Sequence, residues 1–311
     1  MAAQFFSALA DNALLIIGIA LLRDMAAPPE YEPLLKLFFT LSYVLLAAFV
    51  GAFADSMPKW RVMLISNTIK IGGCLMLFVG SHPLLGYAVI GLGAAAYSPA
   101  KYGILTEYLP HRLLVVANGW IEGLTVAAII LGIALGGLVI HEDTVAWFGT
   151  TPLALMGSGL MPAIALVGML YLVAALFNLY IPDTGVDHKP LRNDPLYLIH
   201  DFKHCLLLLW RDKLGQISLA VTTLFWGAGA TLQFILIKWA EHSLGFDLSG
   251  ASMLQGVVAI GIAAGSVMAA RMVCLQDSVK VIPLGILMGF ATVTMVFIES
   301  TVPAIILMLV V

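Results

Sequence analysis

Four ionisable side chains, Asp11, Lys70, Lys101 and Glu122, stand in stretches otherwise built from apolar and small residues. A charge in hydrocarbon costs at least about 3 kcal/mol on insertion scales, so each of these groups must face protein or a water-filled cavity and find a partner. Two amines and two carboxylates at similar depth can neutralise one another, for instance Lys101 with Glu122 across a short helical hairpin. A buried carboxylate can also carry a proton, which would suit Asp11 or Glu122 in a proton-coupled carrier. One further pair has catalytic spacing: His242 and Asp247 match the H-x-x-x-x-D pattern in which histidine acts as general base on a hydroxyl. It lacks a companion Gly-rich phosphate-binding stretch, and no G-x-S-x-G elbow, H-E-x-x-H or phosphate-binding loop is present. No enzyme activity, cofactor or metal site is expected; Cys74, Cys205 and Cys274 have no metal-ligand spacing and are expected to pack.

The elements that must hold these residues are membrane helices. Hydrophobic residues make up 61% and charged residues 11% of the 311, and the mean hydropathy is +1.01, outside the soluble range. A net charge of -3 without basic runs excludes a nucleic-acid binder. Windows of about 20 apolar residues predict nine spans near 3–22, 34–54, 62–80, 84–106, 117–140, 160–181, 216–239, 249–270 and 281–298. A tenth starts at 301 and stops after about half the needed length, so the chain looks cut off inside a helix. Gly91, Gly93, Gly132, Gly136 and Gly137 form small faces that let helices approach closely.

With the N-terminus inside, the inner loops hold Lys59, Arg61, Arg112, Lys189, Arg192, Lys203, Arg211, Lys213, Arg271 and Lys280, and the outer flanks hold only Arg23, Lys36 and Lys238. The expected location is a multi-pass inner membrane protein with a cytoplasmic N-terminus. Residues 182–213 are the only long polar connection, with an amphipathic stretch over 196–210 expected on the inner membrane surface. They divide a six-helix bundle, 1–181, from an incomplete one, 214–311. The fold class is an all-α polytopic membrane protein.

Two bundles joined this way suggest a duplicated transporter with its substrate site between the halves. The turn after the second span, Gly51-Ala-Phe-Ala-Asp55-Ser-Met-Pro58-Lys59-Trp-Arg61, resembles the G-x-x-x-D-x-x-G-R-R signature of the major facilitator superfamily, with Pro58 and Trp60 as departures. That resemblance implies gating roles for Gly51, Asp55, Lys59 and Arg61, the aspartate meeting the start of an eleventh helix, which this chain does not include. Three stretches further resemble the lysophospholipid transporter family: Gln4 to Leu15 around Asp11-Asn12, Gly91 to Leu105 with Tyr97-Ser-Pro-Ala-Lys101-Tyr-Gly, and Leu224-Phe-Trp226-Gly227-Ala-Gly229-Ala-Thr-Leu.

This resemblance implies twelve helices and a flippase that moves a lysophospholipid such as lysophosphatidylethanolamine to the cytoplasmic leaflet. It also implies a separate or fused acyltransferase and acyl carrier protein synthetase for re-acylation. On that reading Lys101 takes the lipid phosphate, and Asp11, with Asn12 beside it, takes the ammonium. Tyr97, Glu122, Trp226 and Gln233 complete the candidate set. Lys101 can equally pair with Glu122, and Trp226 can pack along an acyl chain or among lipids. The third helix, with Lys70, is expected outside the cavity. Gln233 stands where the family carries arginine, which shifts phosphate binding toward Lys101. The competing readings are a proton-coupled drug or small-solute carrier of the same superfamily and a membrane-embedded acyltransferase.

Overall fold

A computed structural model describes residues 1–157, 159–187, 194–272 and 283–310, and the regular structure in them is helical. In chain order the helices are α1 (Ala2–Asp24), α2 (Tyr31–Asp55), α3 (Lys59–Phe78), α4 (Pro83–Tyr108), α5 (His111–Ile140), α6 (Glu142–Gly149), α7 (Met161–Leu179), α8 (Pro195–Arg211), α9 (Lys213–Leu244), α10 (Leu248–Met272), α11 (Pro283–Val293) and α12 (Thr301–Val310). Lys189, Arg192, Cys274, Lys280 and the first residues of the ninth expected span lie outside the described residues.

The helix ends follow local chemistry. Pro83, Pro162 and Pro195 occupy first-turn positions, where a missing amide hydrogen removes no helical bond. Asp194 accepts from the amides of Leu196 and Tyr197, and Asp212 from that of Gly215, so each carboxylate satisfies donors that the following helix leaves free. Gly245, at φ 67°, ends α9 in the left-handed conformation.

Among the described residues, α1, α2, α3, the 117–140 part of α5, α7 and α9 are long and apolar enough to cross a membrane. At 26 residues α4 has the length, but its run of Tyr97, Ser98 and Lys101 keeps it out of that set. The short α6 between the fifth and sixth expected spans was not legible in the hydropathy. Neither was the break of the ninth span, where α11 gives way to a 3-10 turn over Thr294–Phe297.

The centre of the first bundle is α1, with Leu14, Leu15, Ile16 and Ile17 fully buried. Around it α5 and α7 pack directly, while α3 packs on α4 and α7, and α4 on α2. The expected small faces make the close contacts. A Cβ on Gly91 would fall 2.5 Å from the Phe39 carbonyl oxygen, one on Gly93 2.6 Å from that of Ser66, and one on Gly136 2.7 Å from that of Ala13. Gly132 is held against the Leu9 carbonyl in the same way. Only hydrogen fits at these crossings.

The end of the bundle where α1 starts is called the near end here, and the end carrying Arg23 the far end. The later helices join the earlier ones toward the far end, where Ser249 of α10 donates to the Gly137 carbonyl of α5 at 2.8 Å. An ion-pair network closes the same end. Arg23 reaches Glu32 at 2.9 Å and Glu241 at 2.6 Å, and Lys238 reaches Glu32 at 3.0 Å. Along α9, Leu236, Ile237 and Ala240 are buried, whereas Leu214, Ile217, Leu224 and Phe225, nearer the other end, are exposed.

Candidate functional site

Two chambers lie between the helices. The first, of about 200 Å³, is polar and is lined by α1 (Gln4, Asp11, Asn12), α2 (Lys36, Phe39, Tyr43), α3 (Lys70), α4 (Tyr97, Lys101), α5 (Thr125, Ile129) and Trp226 of α9. The second, of about 310 Å³, is mainly apolar, with Val126, Ile130, Ile133, Leu232, Leu236 and Val258 among its walls. Lys36, Ile129 and Trp226 belong to both. A polar space therefore adjoins an apolar one.

One wall of the polar chamber is backed by a hydrogen-bonded cluster around Asp11 and Lys70. Lys70 Nζ donates to Asp11 Oδ2 at 2.7 Å and to Ser7 Oγ at 2.9 Å, and Tyr171 donates to Asp11 Oδ1 at 2.7 Å. The Ser7 hydroxyl donates in turn to Asn67 Oδ1 at 2.8 Å, and the Tyr87 hydroxyl donates to the Asp11 carbonyl at 3.0 Å. The ammonium also lies 5.5 Å from the rings of Tyr97 and Tyr171. Lys70 is 2% and Asp11 13% exposed, so the two charges compensate one another in low dielectric. This corrects the expectation for the third helix, because Lys70 reaches the chamber and partners the very aspartate assigned to a ligand.

Lys101 holds a different neighbourhood. Its ammonium donates weakly to Thr125 Oγ1 at 3.3 Å and sits 4.4 Å from the Tyr102 ring centroid. Gln4 bonds the same Thr125 hydroxyl and donates to the Ile121 carbonyl at 3.3 Å. Glu122 accepts from the Tyr102 hydroxyl at 2.5 Å and does not line the chamber. Lys101 and Glu122 form no ion pair, so of the two roles open to Lys101 the internal salt bridge with Glu122 is not formed. Tyr102 stands between them, offering its ring to the cation and its hydroxyl to the carboxylate.

Four more expected residues line the chambers. Tyr97 is buried on the polar wall, and its hydroxyl has no protein partner among the described residues. Gln233 lines the apolar chamber with an equally unpartnered amide nitrogen. Trp226 borders both chambers and is 58% exposed, while Asn12 faces the polar one and donates to the Ala8 carbonyl at 2.9 Å. Gly227 and Gly229 have open space where a Cβ would go, so no close approach requires glycine there.

At the near end, Lys59 Nζ bonds Asp55 at 2.8 Å, the Ala54 carbonyl at 2.7 Å and Glu107 at 3.2 Å. Glu107 in turn accepts from Thr184 at 2.9 Å. Asp55 stays 61% exposed, and with Gly51 it lines a space against Tyr197, Asp201 and Phe202 of α8. Arg61 stacks over Trp60 at 5.1 Å.

Sequence reasoning missed Lys36. The charge pattern groups it with the outer flank, and its position inside the second predicted span, 34–54, is the available signal. The His242 and Asp247 pair has a structural explanation. His242 closes α9, and Asp247 Oδ1 accepts from the Gly250 amide at 2.8 Å at the start of α10.

The Major Facilitator Superfamily profile matches residues 1–311. The lysophospholipid transporter LplT of Yersinia enterocolitica is 41% identical over 292 residues, covering 94% of this chain and 68% of that protein. The chain belongs to the lysophospholipid transporter family of the major facilitator superfamily. Its likeness to the family extends to the LplT proteins of Serratia proteamaculans, 41% identical over 93% of this chain and 69% of that one, and Yersinia pestis Pestoides F, 39% identical over 100% and 73%. Among solved structures, an inward-facing, occupied bacterial homolog of the human lysosomal transporter Spinster superposes with a TM-score of 0.65 at 15% identity, covering 99% of this chain and 68% of that one. A D-xylose-proton symporter superposes at 0.55 and 12% identity, over 99% and 76%. These two carry the fold of the superfamily, the one described above.

Proposed function

We propose that this chain moves a lysophospholipid, such as lysophosphatidylethanolamine, across the inner membrane to the cytoplasmic leaflet, where it is re-acylated. One observation carries the reading: a polar chamber adjoins an apolar one, and the two share Lys36, Ile129 and Trp226. A single-chain phospholipid has that same division, a charged head beside one acyl chain. The headgroup occupies the polar chamber and the chain the apolar one, along Trp226. Relatives about 40% identical are named for this substrate class.

In this reading the N-terminus is cytoplasmic, residues 1–181 and 214–311 are two bundles that rock about the site, and 182–213 link them. Lys101, nearer the cytoplasmic end, takes the phosphate once the head has moved toward that end, with the Tyr97 hydroxyl at hand. Asp11 acts through Lys70 rather than as a free ammonium receptor. Gly51, Asp55, Lys59 and Arg61 form a near-end gate, with Asp55 exposed and available to a helix of the other half. A re-acylating acyltransferase with its acyl carrier protein synthetase receives the product.

The test is transport of labelled lysophosphatidylethanolamine into proteoliposomes holding the purified chain, with and without a collapsed proton gradient. Movement that survives the collapse and drops by tenfold or more in Lys101→Met, roughly one charge-assisted hydrogen bond, is the expected result. Movement abolished by the collapse would favour the proton-coupled carrier instead.

A further inference from the structure

We infer that Lys36 is a seat for the phosphate of the transported lipid, occupied when the acyl chain lies in the apolar chamber. The inference rests on the lysophospholipid reading above and adds the residue that recognises the head. Among the described residues Lys36 is the single charged residue on the apolar chamber's walls, and it also lines the polar chamber. Its ammonium lies 5.7 Å from the Phe39 ring centroid, and among the described residues it makes no ion pair. Among the described residues of these walls the one carboxylate, Asp11, is already paired with Lys70, so the charge of Lys36 is only partly offset and a ligand anion would complete its compensation.

The other amines on the polar wall are differently placed. Lys70 is already compensated by Asp11 at 2.7 Å. Lys101 stands eighteen residues into α4, whereas Lys36 stands five into α2. Both helices start at the far end, so the two positions differ by about 20 Å along the axis at 1.5 Å per residue. A phosphate beside an acyl chain in the apolar chamber, whose walls include Lys36 and not Lys101, therefore lies closer to Lys36. In a lysophospholipid the phosphate lies between the acylglycerol and the head amine, which puts it at the junction of the chambers. The unpartnered amide of Gln233, on the apolar side of that junction, is placed for the glycerol hydroxyl or the ester carbonyl.

The test compares three single-chain lipids of equal length, lysophosphatidylethanolamine, lysophosphatidic acid and monoacylglycerol, binding to the purified full chain in detergent micelles. Wild type is expected to prefer both phosphorylated lipids. Lys36→Gln should weaken them roughly tenfold or more, as loss of a charge-assisted hydrogen bond does, leave monoacylglycerol unchanged, and lose nothing further when Lys36→Met is tested. Lys36→Arg should keep the preference. Unchanged monoacylglycerol binding reports that each variant is folded, and the longer Met side chain separates charge from packing if the Gln variant misfolds. Preserved phosphate preference in both neutral variants overturns the seat at Lys36 and leaves the transport reading standing. Wild type that binds none of the three lipids overturns the transport reading itself.

Discussion

Replacing Lys70 by methionine keeps most of the apolar stem of the side chain and removes its charged end. Asp11 would then be a carboxylate 13% exposed, held only by the Tyr171 hydroxyl, and Ser7 would lose the donor at 2.9 Å. Removing one partner of a buried ion pair costs about 3–5 kcal/mol, because the other charge stays behind uncompensated. At about 2–4 °C per kcal/mol for chains of comparable size, the apparent melting temperature should fall by roughly 6–20 °C. Asp11→Asn should fall comparably, since it strands the Lys70 ammonium, which is 2% exposed. The double variant Asp11→Asn with Lys70→Met carries neither charge and should melt above either single variant, with a coupling of at least about 2 kcal/mol. The assay is thermal unfolding in one detergent at one scan rate, because membrane proteins unfold irreversibly and the midpoint depends on both. If the two single losses simply add in the double variant, the pair is not a unit and the reasoning fails.

Other outcomes follow from the same contacts. Charge reversal at Arg23 removes the cation that joins Glu32 of α2 to Glu241 of α9; a cysteine probe at the far end should become more reactive, and unchanged labelling would remove the network's closing role. Gly93→Val should abolish folded protein on size-exclusion chromatography, because its Cβ would already fall 2.6 Å from the Ser66 carbonyl oxygen, whereas Gly227→Ala should elute like wild type since nothing lies within 4 Å. The polar chamber's charged walls hold Lys36, Lys70 and Lys101 against Asp11, so lysophosphatidylglycerol should compete with lysophosphatidylethanolamine for binding, and a single-chain primary amine should not.

The helices were legible because a span is a property of local composition. So were the close crossings, since Gly91, Gly93, Gly132 and Gly136 lie where backbone must meet backbone. Lys101 and Tyr97 were legible for the same reason: a polar run inside an apolar helix has few places to go. Rotation about a helix axis is different, because it is set by neighbours far away in sequence. Lys70 faces the chamber because α3 packs on α4 and α7, which aims its side chain toward Ser7 and Asp11. Lys36 is carried to the chambers by the packing of α2 on α4. Depth along the second span placed that residue, but only the helix contacts turned it inward. The amphipathic 196–210 stretch gave α8, while α6 was too short for any window of about 20 residues to register.

The distribution of charge along the polar chamber bears on how a phosphate could be released. Two lysines outside any ion pair, Lys36 and Lys101, are anchored at depths whose backbone positions differ by about 20 Å along the axis, and the amine anchored between them is neutralised by Asp11. A substrate shifts a conformational equilibrium only by the difference in its affinity for the two states. Two similar single-lysine seats keep that difference small, so a phosphate can pass from one to the other without being trapped. Freeing Lys70 would break the balance by adding a third cation midway. Asp11→Asn should therefore bind the phosphorylated lipid more tightly while transporting it more slowly, measured by equilibrium binding and by flux on the same preparation. A ligand-contacting Asp11 would instead lose affinity on that substitution, so the sign of the change in binding separates the two roles.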